Sequence, residues 1–129
     1  DGYEQIIKFR SQNPQQTVMW GHMISHDEYI ESGLRQYDSD ENVEVSFLIE
    51  LVMDLKIAIE AKSLMAIQKI ENSSHIKCVG IVKNVISSDS IMCEVGILGD
   101  VIVELEKKNS EIEKGMFVEF TGNLELELL

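Results

Sequence analysis

From Val43 to Ile59 the chain reads VEVSFLIELVMDLKIAI, and its odd positions, Val43, Val45, Phe47, Ile49, Leu51, Met53, Leu55, Ile57 and Ile59, are all apolar. The even positions hold Glu44, Ser46, Glu50, Asp54 and Lys56 among Leu48, Val52 and Ala58. Successive side chains on a strand point to opposite faces, so a period of two marks a strand with one face in a core. A helix would gather Leu48, Leu51, Val52, Leu55 and Ile59 on one side but strand Phe47, Ile49, Met53 and Ile57 beside Glu50 and Asp54. The strand reading therefore prevails. Fully extended, the stretch would measure roughly 56 Å at about 3.3 Å per residue, whereas a globule of this length has a radius of gyration of about 14 Å. It must bend or divide, and Glu50 to Asp54 is where the break is expected.

Downstream, the pattern continues in the same vein. Ile76 to Ile86, Ile91 to Leu98, Val101 to Glu106 and Met116 to Leu128 read as four strands, separated by turn clusters at Ser87 to Ser90, Gly99-Asp100 and Asn109 to Gly115. In the last of them Val118, Phe120, Leu124, Leu126 and Leu128 alternate with Glu119, Thr121, Asn123, Glu125 and Glu127. Gly80, Gly96 and Gly122 fall inside these strands, at places where a small sheet bends or bulges. Between the central stretch and this block, Ala61 to Ile70 (AKSLMAIQKI) is rich in helix formers and is expected to be helical.

Upstream, Tyr3 to Arg10 (YEQIIKFR) reads as a short amphipathic helix ended by the turn at Pro14, and Thr17 to Ile24 as a strand. Ser25-His26-Asp27-Glu28 has the Ser-x-x-Glu form of a capping box, so about two turns of helix should follow, ending near Gly33. An acidic loop, Asp38 to Asn42, leads into the central stretch. These elements predict an α+β protein: a curved antiparallel sheet or partly open small barrel of the OB or SH3-like kind, covered by two or three short helices. With no repeat or shift in composition, residues 1–129 read as a single domain.

The chain has 129 residues, 11 Lys plus Arg and 23 Asp plus Glu, for a formal net charge of −12. Such a field repels nucleic acid and anionic membranes and attracts basic partners. No apolar run reaches the roughly 18 residues of a membrane span, and no secretory leader opens the chain, although its start at Asp1 rather than Met leaves room for missing residues. Cys78 and Cys93 sit on strands joined by the turn at Ser87 to Asp89. In that hairpin facing residues have numbers summing to about 176, and these two sum to 171. The stagger is too great for the Cα separation a disulfide tolerates, so free, half-buried thiols in a reducing cytosol are expected.

Motifs of catalysis are missing. His22 and His26 are four apart, with Asp27, Glu28 and Glu31 nearby, but the capping box puts His22 on the preceding strand, and no metal site is expected. His75 reads as a surface residue. Neither cysteine has cationic neighbours to activate it, no Gly-x-Ser-x-Gly turn occurs, and Gly96-x-x-Gly99 lacks the lysine and helix of a phosphate loop. An enzyme is not expected, nor a cofactor. Single-stranded nucleic acid would need lysines interleaved with aromatics, whereas the last strand presents glutamates.

What remains is the acidic surface. Glu94, Asp100, Glu104, Glu106, Glu111 and Glu113 are expected on the rim of the sheet, Glu119, Glu125 and Glu127 on the last strand, and Asp38, Asp40, Glu41 and Glu44 before the central one. Of these, Asp38, Asp40, Glu41, Glu44, Asp100, Glu104 and Glu106 are the expected partner-binding residues, through charge-assisted pairs to lysines and arginines. The sequence thus points to a small acidic cytoplasmic binding protein that occludes the active site of a basic protein partner, as immunity proteins and antitoxins do with nuclease toxins. The alternative is an OB or SH3-like adaptor that pairs an exposed strand edge with its partner. A third reading is a carrier of a small ligand inside the sheet.

Overall fold

The computed structural model describes residues 4–10, 18–24 and 45–128, which join in one continuous sheet of nine strands. These are β1 (Glu4–Arg10), β2 (Val18–Ile24), β3 (Val45–Val52), β4 (Leu55–Ala58), β5 (Met65–Ile67), β6 (His75–Ser87), β7 (Ser90–Glu94), β8 (Asp100–Leu105) and β9 (Phe117–Leu128). β6, β7 and β8 form an antiparallel meander. β8 then lies parallel to β3, with Leu48 facing Ile102, while β9 pairs antiparallel with both β3 and β6. The circuit β3–β8–β7–β6–β9 closes on itself, giving a five-stranded barrel in which none of the five strands is left as an edge.

Alternation fills that barrel. Ile49, Ile76, Cys78, Cys93, Val95, Val103, Val118 and Leu124 are fully buried, and Phe120 and Leu126 nearly so. Gly122 lets β9 cross β3 at close range: a Cβ there would lie 2.7 Å from the Glu50 carbonyl oxygen. Outside the circuit, the β1–β2 hairpin attaches through a parallel pairing of His22 and Met23 with Glu125 and Leu126. Met19 and Met23 are buried beneath it, Phe9 packs on Phe47 with ring centroids 5.7 Å apart, and a side chain in place of Gly21 would collide with Leu126.

Several expectations need correcting. The fold class is all-β, with no cover of two or three helices: among the described residues the one helical element is the 3-10 turn Gly96–Leu98. The barrel is closed rather than partly open, and the sheet is not wholly antiparallel: β3–β8 within the barrel and β2–β9 outside it are parallel. Tyr3 to Arg10 was expected as helix, but residues 4–10 form a strand that pairs residue for residue with β2. Ala61 to Ile70 carries only the short β5, because the backbone of Lys77 to Val79 offers it hydrogen-bond partners and Ala66 fits inward opposite Cys78. Local helix propensity is a weak term beside such pairing. The helix expected after Ser25 lies outside the described residues.

The central stretch divides where expected, between β3 and β4, but its alternation is interrupted. Leu51 takes a left-handed conformation, φ 59°, where the register with β8 shifts, and is exposed, while Val52 turns into the core. This bulge is why Leu51 and Met53, apolar odd positions, face outward. Gly96 belongs to the 3-10 turn rather than to a strand.

Candidate docking face on the barrel wall

On β3, β8 and β7 the side chains that do not enter the core face outward together. Leu48 lies opposite Ile102, and Ile102 opposite Met92, forming a half-buried apolar row across three strands. None of the three packs in the core. Two residues further along β3 and β8, on one side of the row, come Glu50 and Glu104. On the other side come Ser46 on β3 and Asp100 on β8, with Glu94 of β7 facing Asp100 and Glu127 of β9 facing Ser46. Glu125, opposite Leu48, stands at the end of the row. The face is thus an apolar strip with carboxylates along both margins. Among the described residues, Lys83 pairs with Glu94 of this face, Nζ to carboxylate 3.6 Å, across an exposed pair. Such a pair contributes little to stability.

Of the residues expected to bind a partner, Asp100 and Glu104 are brought to this face. Glu106 lies just beyond β8, exposed, and its backbone N–H donates to the Val52 carbonyl. Asp38, Asp40, Glu41 and Glu44 lie outside the described residues. Sequence reasoning missed the apolar row and Glu50. The signal was present in the even positions of the central stretch, where Ser46, Leu48 and Glu50 form the outward counterpart of the core-facing set.

The opposite wall differs in charge. Glu119 on β9 accepts a hydrogen bond from Lys62, 2.9 Å away, and that bond, with the charges of Lys62, Lys56 and Lys77, holds its carboxyl below the usual carboxylate range. At the β3–β4 break, Val52, Met53, Asp54, Leu55 and Leu105 line a cleft of about 190 Å³ together with Lys107, Lys108 and Asn109. Ligand sites for organic molecules run to about 300–1,000 Å³, so this cleft is small for one.

Cys78 and Cys93 are free and fully buried rather than half-buried. Burial pushes both thiols up to about 12, with the neighbouring Cys93 charge adding to the rise at Cys78. Thiols held protonated in this way are poor nucleophiles. Among the described residues no three His, Cys, Asp or Glu side chains converge as ligands for a metal ion, and no helix is long and apolar enough to cross a membrane. His26, Asp27, Glu28 and Glu31 lie outside the described residues. Compared with known proteins, the chain matches no family model, no curated protein and no solved structure.

Proposed function

We propose that this chain is a non-enzymatic binding protein that takes a basic protein partner onto the wall of β3, β8 and β7 and neutralises it by covering its cationic site. The observation that carries the reading is the apolar row Leu48–Ile102–Met92 with carboxylates on both margins. An apolar centre that loses its water, inside a polar rim, is the anatomy of a protein interface. The formal charge of −12 adds long-range attraction for a cationic surface. Function of this kind is what cytoplasmic immunity proteins and antitoxins perform against nuclease toxins, and a nuclease is the partner class we favour.

The test is capture from a lysate at low salt, with elution along a salt gradient, by the native chain and by a variant carrying Glu50→Lys, Asp100→Lys and Glu104→Lys. The expected result is a basic protein that elutes at moderate salt from the native chain, is lost from the variant, and has an enzymatic activity that the native chain suppresses. Neutral proteins retained through the gradient and indifferent to the charge reversal would move the contact to the sheet edges at β1 and β5 and overturn the proposal.

A further inference from the structure

Resting on that reading, we infer that the element docking on this face is a cationic amphipathic α-helix, laid across β3, β8 and β7 along the apolar row. Strand addition is closed here, because β3 pairs with β8 and β9, β8 with β3 and β7, and β7 with β8 and β6. With no backbone edge to offer, this wall can be read only through side chains. The row from Leu48 to Met92 crosses two strand spacings, about 9.6 Å at about 4.8 Å each. On a helix, residues seven apart are separated by about 10.5 Å along the axis. Apolar residues at positions 1, 4, 5 and 8 of a helix would therefore cover the row from end to end.

The margins fit the same object. Glu50 and Glu104 on one side, and Asp100, Glu94 and Glu127 on the other, stand two residues from the row, about 6.8 Å along the strands. The carboxylate lines are thus about 13–14 Å apart, slightly wider than a helix of about 10–12 Å diameter. Lysines or arginines on both flanks of such a helix meet a carboxylate on either side while its apolar stripe sits on Ile102. A strand lying in the same direction would aim half its side chains away from the wall and bring no cation to either margin.

The experiment uses the full chain and three synthetic peptides of about 18 residues and identical leucine and lysine content: one with leucines at helical spacing, one scrambled, and one strictly alternating. Binding is read by fluorescence anisotropy, and peptide helicity by circular dichroism. The helical peptide is expected to bind roughly tenfold or more tighter than either control and to gain helicity on binding. Ile102→Asp, with Ile102→Ser as a milder second variant checked for an unchanged melting curve, should remove that preference. Equal affinity for all three peptides, or preference for the alternating one, would overturn the helix. So would retention of the preference by both Ile102 variants. These failures are separable from that of the basic-partner reading, which stands or falls on the salt-gradient capture and the triple charge reversal.

Discussion

Two backbone positions set the shape of the barrel and can be tested one residue at a time. At Gly122 an added Cβ would come 2.7 Å from the Glu50 carbonyl oxygen and 2.8 Å from a methyl of Ile49. The obstruction is backbone and a buried side chain, neither free to swing aside. Gly122→Ala should therefore lower stability by about 1–3 kcal/mol, read as an earlier urea midpoint. Leu51 presents the reverse case. An L-residue at φ 59° carries left-handed strain of about 1–2 kcal/mol, and the side chain is half exposed and holds little packing. Leu51→Gly relieves the strain and loses roughly 0.5–1 kcal/mol to the freedom glycine has when unfolded. The expected outcome is a neutral to slightly stabilised protein; a clear drop in the melting temperature would mean that the exposed leucine is held by contacts after all. The thiols give a pH dependence. Cys78 and Cys93 ionise near their ordinary value of 9.0 when unfolded and only near 12 when folded. The folded state keeps its protons longer, so the stabilisation is complete below pH 9 and is lost as the pH rises from there toward 12. The loss is on the order of 1 kcal/mol per thiol near pH 10. Replacing both with alanine should flatten this alkaline decline in denaturant titrations, and an aromatic disulfide reagent should label the native chain no faster than it opens.

Among the elements, the β1–β2 hairpin shows how a strand outside the barrel is held. The Gln68 side chain imitates a neighbouring strand: its carbonyl accepts the Trp20 N–H at 2.7 Å, and its amide donates to the Trp20 carbonyl at 2.5 Å. Gln68→Ala would leave both part-buried backbone groups without these partners, at a cost of about 1–3 kcal/mol. The effect should be local, appearing as faster amide exchange at Trp20 and a shift in its fluorescence, with the barrel amides unchanged. Uniform loss of protection would show that hairpin and barrel unfold together. The contrast between elements also explains what could be read in advance. β3, β4, β6, β8 and β9 were legible because each is a run rich in β-branched and other apolar residues bounded by turn clusters, with clean alternation along β9. β1 was not, since Ile6, Ile7 and Phe9 fit a helical stripe as well as a strand, and only the pairing with β2 decides between them. Nor was β5, whose Met65-Ala66-Ile67 sits among good helix formers and is extended because the backbone of Lys77 to Val79 on β6 pairs with it. Of the docking face, Glu104 was legible as an acidic residue on a strand and Asp100 as one in the turn before it, although Asp100 opens β8 itself. Their company with Leu48, Ile102 and Met92 depends on the parallel β3–β8 register, which no local pattern encodes.

At the scale of the molecule, charge and apolar contact should act on different steps of binding. Carboxylates on Glu50, Asp100, Glu104 and Glu127 lie on the wall where the partner is proposed to dock, whereas Lys56, Lys62 and Lys77 gather around Glu119 elsewhere on β9 and its neighbours. A cationic partner approaching in solution therefore feels both a net attraction and a preferred side. Screening works on that approach: the Debye length shrinks from about 10 Å at 0.1 M salt to about 3 Å at 1 M. Once docked, the proposed partner would be held by a dry contact on Ile102, where salt has little access. The helical lysine and leucine peptide should accordingly lose association rate steeply as salt rises while its dissociation rate changes little. Glu104→Gln and Asp100→Gln should lower the association rate and flatten its salt dependence, and Ile102→Ser should raise the dissociation rate at every salt concentration. Stopped-flow anisotropy separates the two constants. If salt acted chiefly on dissociation, the carboxylates would be the buried anchors of the complex and the apolar row mere surface, and the division of labour assigned to this wall would be reversed.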